Sequence, residues 1–150
     1  MKLLENIKWA YNTDTKWIQT IFRLLLGANL LFAGISHLTF NRLEFVAQVP
    51  NWVPLSTDLV VVLSGIAEIS LGLSLLVIYK WKALAGWATA IFFVLIFPGN
   101  ISQYVNEIDA FGLDTEQARF IRLFFQPVLI LWAIWSTGAL KAYKNKNNHK

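Results

Sequence analysis

Arg23, His37, Glu68, Asn100, Arg122 and Gln126 can do chemistry, and each stands inside or beside a long apolar run of the chain. A charge at mid-membrane costs roughly 2.5–3.5 kcal/mol on insertion scales, so a retained one needs a partner or a task. Helical spacing shows where each residue points. Arg23, Gly27, Leu30, Gly34 and His37 recur every three or four residues and share one helix face. Val61, Gly65, Glu68, Gly72 and Leu75 repeat the pattern. Arg119, Arg122, Gln126, Leu129, Ala133 and Ser136 do so again, and Gly86, Ala90, Phe93, Phe97 and Asn100 form a less polar version. Gly27, Gly34, Gly65 and Gly72 on these faces permit close helix approach. The faces are expected to turn inward together. Asn29 falls on another side of its run and has no place in this scheme.

Depth discriminates among pairings. With both ends of the chain on one side, Arg23 lies about 9 Å and Glu68 about 16 Å from that side, a gap an arginine can cover. Arg122 is about 12 Å in depth from Glu68. Arg23–Glu68 is therefore the expected ion pair, either a clamp that fixes register or a proton-handling group. His37, Asn100, Arg122 and Gln126 fall in the opposite half. With Glu68 below them, they are expected to line a cavity that opens away from the termini. Each also has a plainer reading. His37 can be an interfacial hydrogen-bonding residue, Arg122 can snorkel to headgroups, and Asn100 can cap a helix broken at Pro98-Gly99. Pro127 is expected to kink the fourth run and free a carbonyl.

Several chemistries are excluded by the residues present. Without cysteine there is no thiolate, disulfide or Cys-type zinc chemistry. There is no Gly-rich phosphate loop and no Ser/His/Asp arrangement. His149 in the tail cannot join His37 as a second haem ligand in the membrane. His37 with Glu68 offers too few ligands for a metal, so no metal site is expected. No catalytic constellation is recognisable.

These residues need long apolar helices to hold them. The chain of 150 residues is 56% hydrophobic, above the ~45–50% of ordinary soluble domains. Mean hydropathy is +0.50. The apolar residues form blocks at about 17–38, 57–78, 83–101 and 119–140, each near or above the ~20 residues of one crossing. An all-α, transmembrane four-helix bundle is the expected fold. Residues 1–16 form a mixed lead-in, either an interfacial helix or an irregular segment, and make a poor signal peptide. Pro50 and Pro54 are expected to prevent a regular helix in the greasy FVAQVPNWVP stretch between the first two spans, which is expected to lie in the interface or over the bundle mouth. The short link Tyr79–Lys82 makes spans two and three antiparallel neighbours. Asp114 with Gln117 suggests a capping box before the fourth span. Net charge is +4. Every lysine falls in the lead-in, in that short link or in the tail at 141–150, so the positive-inside rule places both ends in the cytoplasm.

The runs RLLLGANLLFAGISHL, SGIAEISLGLSLL, FPGNI and RLFFQPVLILWA resemble the DoxX and DoxX-like group of small membrane proteins, over roughly residues 18–140. The resemblance rests on a span-one arginine followed by spaced glycines and on G-x-x-E-x-x-x-G in span two. It falls on Arg23, Gly27, Gly34, Gly65, Glu68 and Gly72. It implies a four-helix bundle in a bacterial inner membrane. Some members of the group are linked to quinone-dependent oxidation of sulfur compounds, others to redox-protein maturation or thiol stress. A subunit without cysteine cannot supply a thiol to such roles. The functional expectation is a bundle that binds a small amphiphilic or quinone-like molecule through His37, Glu68, Asn100, Arg122 and Gln126. The alternatives are a membrane subunit of a quinone-linked oxidoreductase with a soluble redox partner, a small-solute transporter, and a scaffold.

Overall fold

A computed structural model describes residues 8–11 and 13–148. Residues 1–7 and 12 of the lead-in, Lys2 among them, lie outside the described residues, as do His149 and Lys150. A 3-10 turn at Lys8–Ala10 precedes six helices: α1 Trp17–Leu38, α2 Arg42–Gln48, α3 Thr57–Val77, α4 Lys82–Val105, α5 Glu116–Ser136 and α6 Ala139–Asn148. No strand occurs among the described residues. Helices α1, α3, α4 and α5 are each long and apolar enough to cross a membrane. Their outer faces carry Phe32, Leu95 and Leu131, each more than 60% exposed. Such a shell belongs in hydrocarbon, not water. The protein is a multi-pass membrane protein whose four spans form an up-down-up-down bundle.

The spans are ordered α1, α3, α4, α5 around a ring, with the tightest packing between α1 and α3 and between α4 and α5. Glycines explain the first of these seams. A Cβ on Gly27 would meet the Gly72 carbonyl at 3.0 Å, and one on Gly34 would meet that of Gly65 at 2.7 Å. A Cβ on Gly72 would come equally close, 2.7 Å from the Leu31 nitrogen. The two backbones touch at two levels, two helical turns apart, and this fixes the antiparallel register of α1 and α3. A similar contact joins Gly86 of α4 to Thr137, just beyond α5.

The termini close one end of the bundle. Ala10, Ala83, Ala139 and Ala142 form a small buried cluster flanked by Trp9, Trp81 and Trp87. Gly138, at φ +67°, turns the chain from α5 into α6. Buried Lys82 donates to the Thr15 hydroxyl at 2.8 Å and lies 4.8 Å from the Tyr79 ring centre. Gln19 ties the start of α1 to the end of α5 through the Trp135 carbonyl at 2.6 Å. Above this closed end Leu26, Leu30, Leu75, Ala90, Phe93 and Ala133 build the apolar core.

Several sequence expectations need correction. The third span does not break at Pro98-Gly99; it runs on to Val105. A proline forfeits one N–H bond, and the helix tolerates this because neighbouring helices hold it on both sides of the defect. The fourth span begins at Glu116 and ends at Ser136, short of residue 140. Its cap is Thr115, whose hydroxyl accepts from Ala118 N at 3.2 Å, instead of Asp114. The tail from Ala139 is a separate helix. Greasy residues 42–48 form helix α2 ahead of Pro50. Helices α3 and α4, although joined by the shortest link, pack less extensively than either does with its other neighbour.

Because the α1–α3 seam has no room for a side chain, Gly72→Ala should destabilise the bundle by about 1–3 kcal/mol. Ala88→Leu, on an exposed face of α4, should not. Thermal unfolding in detergent micelles checks this, and equal midpoints for both variants would contradict the seam.

Candidate functional site

In an α-helix the side chains lean toward the N-terminus of their own helix. Helices α1 and α3 run in opposite directions, so residues on facing sides lean in opposite senses. His37 is three residues past the Gly34–Gly65 contact on α1 and leans back toward the termini. Glu68 is three residues past it on α3 and leans the other way. The two therefore converge: Nδ1 of His37 lies 2.5 Å from Oε2 of Glu68, and both residues are buried. Nδ1 is also 3.1 Å from the Ala33 carbonyl oxygen. A ring nitrogen between two acceptors carries the proton. Nε2 makes no hydrogen bond among the described residues.

The same geometry overturns the expected Arg23–Glu68 pair. The Gly27–Gly72 contact sets Arg23 level with Leu76, about 12 Å along the axis from Glu68. Arg23 also leans toward its own N-terminus, away from Glu68. Its Nη1 donates instead to the Leu75 carbonyl in the last turn of α3. A cation there satisfies a carbonyl left free by the helix end and meets the negative end of the helix dipole. Arg23 clamps helix ends and takes no part in the site.

A cavity of about 630 Å³ occupies the half of the bundle away from the termini. His37, Glu68, Asn100, Arg122 and Gln126 all line it, among mostly apolar neighbours. Asn100, inside α4 and not at its end, donates to Gln126 Oε1 at 2.9 Å. Gln126 donates in turn to the Phe93 carbonyl at 2.6 Å. Both amides hold α4 to α5, while the Asn100 side-chain oxygen accepts no hydrogen bond among the described residues. Arg122 differs. Its side chain is half-buried at the cavity wall and forms no ion pair among the described residues.

Helix α2 and the chain after it cover the mouth. Phe45 stacks on the His37 ring with centres 3.3 Å apart and packs edge-on against Phe111. Three polar contacts fasten this cover. Gln48 donates to Gln103 Oε1 at 2.6 Å, Glu44 accepts from Phe111 N at 2.6 Å, and Arg42 donates to Asp58 at 2.6 Å. The sequence reading missed Gln48, Gln103 and Glu44. Gln103 could have been found, since it lies one turn beyond Asn100 on the same face. Gln48 and Glu44 had no periodic signal, because their helix is only seven residues long. Asn29 gains a partial account: its amide donates to the Leu25 carbonyl of its own helix at 2.8 Å, and it stands at the cavity wall.

The His37 tautomer is directly measurable. Nitrogen NMR of histidine-labelled protein should find Nδ1 protonated, and Glu68→Leu should shift that signal. A deprotonated Nδ1 in the unaltered chain would contradict the His37–Glu68 geometry.

No curated protein and no solved structure matches the chain. Nothing in these comparisons ties it to the DoxX group, so that resemblance stands on its motifs alone. A family model does match across residues 26–137, which takes in the later part of α1, the other three spans and every cavity residue named above. On that match the chain belongs to the family described as Domain of unknown function (DUF8561).

Proposed function

We propose that this chain binds a small amphiphilic or quinone-like molecule, its polar head against Arg122 and its apolar part in the bundle cavity. One observation carries the reading: an apolar space of about 630 Å³ inside membrane-crossing helices has in its wall an arginine without an acidic partner among the described residues. Ligand pockets of ~300–1,000 Å³ combine an apolar lining with a few placed polar groups. An intramembrane arginine without a protein partner is a functional site by default. His37 supplies a second polar contact through Nε2, with Glu68 fixing its ring. Asn100 and Gln126 shape the wall between them.

The lysine distribution supports placing both termini in the cytoplasm, so that the cavity lies on the outer side, and the DoxX-like resemblance suggests a bacterial inner membrane. Distant kinship with the DoxX-like group is part of the same proposal. The His37–Glu68 pair favours one second reading. A carboxylate-oriented imidazole beside a cavity can pass a proton to a bound quinone, which suits a membrane subunit serving a soluble redox partner.

Protein purified in mild detergent should carry an extractable amphiphile, identified by mass spectrometry of the solvent extract. Arg122→Ala should lower its retention about tenfold, equivalent to about 1.4 kcal/mol. Leu131→Ala on the lipid face should leave it unchanged. An empty unaltered protein, or full retention by Arg122→Ala, would overturn the reading.

A further inference from the structure

The cavity is floored below, partly covered above, and open at its side. Below it lies the core around Leu75, Ala90 and Phe93. Above it lies the fastened cover of α2. Between α3 and α4 the wall thins. Val60, Ser64 and Ala67 of α3 face Phe92, Ile96 and Gly99 of α4 across the cavity. At the rim stand Leu63 and Leu95, which line the cavity and yet are 50% and 71% exposed. Asn29, Trp52 and Leu55 also line the cavity while exposed, but only Leu63 and Leu95 do so as an aliphatic pair on two neighbouring spans, which marks an opening on the outer surface between them. That surface is the lipid-facing shell of the bundle, and the rim there is wholly aliphatic.

The charge inside selects the head. Glu68 is already matched by the His37 imidazole, whose Nδ1 lies 2.5 Å from Oε2. Arg122 leaves one positive charge in the wall. A ligand with one negative charge would pair with this arginine, which has no acidic partner among the described residues.

We infer that the gap between α3 and α4 is a lateral portal through which a single-chain amphiphile with one acidic head, of the fatty-acid type, passes from the bilayer into the cavity. This rests on the amphiphile-binding reading above and adds a ligand class and a route. The acidic head meets Arg122 and the acyl chain trails past Phe92 and Ile96 toward Leu63 and Leu95. The ligand is drawn from the membrane leaflet and never has to cross the α2 cover.

The test uses the full chain in liposomes with a diazirine-bearing long-chain fatty acid, its neutral methyl ester, and a diazirine-bearing quinone. The acid should label peptides around residues 60–67 and 92–96 saturably. The ester should label them at least tenfold less, and Arg122→Gln should bring the acid down to the level of the ester. Leu63→Trp combined with Leu95→Trp should slow loading from the bilayer at least tenfold while reaching the same final labelling. The single Leu95→Trp replaces the pair if the double variant does not fold. Loading at the unaltered rate in these variants would overturn the portal. Slowing by Asn29→Trp alone would do the same, since Asn29 lines the cavity from α1. Equal labelling by acid and ester would overturn the acidic head. Labelling by the quinone alone would overturn this inference and leave amphiphile binding standing. No saturable labelling by any probe would remove the amphiphile reading itself.

Discussion

The backbone contact between α1 and α3 at Gly27–Gly72 and Gly34–Gly65 governs the rest of the structure. Apolar surface gains nothing by turning inward in a bilayer, so helices associate through close packing and interhelical hydrogen bonds. Two glycine levels, two turns apart, allow one register and no slippage. That register decides which polar groups can meet. It puts His37 within reach of Glu68 and sends Arg23 to the end of α3. Shifting either helix by one turn would separate His37 from Glu68 by more than their side chains can span.

A second consequence concerns the shape of the bundle. The glycine seam holds α1 to α3, and the Asn100–Gln126 and Gln126–Phe93 bonds hold α4 to α5. The two pairs share the apolar core near the termini and separate above it. The cavity is what remains between two well-packed pairs that meet at only one end. Its polar groups come from both pairs: His37 and Glu68 from one, Asn100, Arg122 and Gln126 from the other.

Much of this was legible in the sequence. The four apolar blocks gave the spans, and three-to-four-residue spacing gave the inward faces, because both depend on local periodicity alone. The five cavity residues share one space for the same reason. Pairing was less legible. Arg23 and Glu68 were matched by depth, counted from assumed helix ends. Depth omits both the glycine register and the lean of each side chain toward its own N-terminus. Pro98 misled in another way: a proline marks a lost hydrogen bond, and neighbouring helices decide whether the helix stops. The cover over the mouth was visible only as greasy residues between prolines, since contacts such as Glu44 to Phe111 N join segments far apart in sequence.

The two internal prolines carry one more implication. Pro98 lies in α4 and Pro127 in α5, while α1 and α3 have none. Each proline removes a rung of its helix, leaving the carbonyls of Val94 and Leu123 without their regular partners. Both missing rungs fall at the level of the cavity and within one helix pair. The bundle is therefore mechanically unequal: a stiff half seamed by glycine carries the His37–Glu68 pair, and a compliant half carries Arg122. Occupants of different girth would be accommodated by bending α4 and α5, while the imidazole and carboxylate keep their spacing.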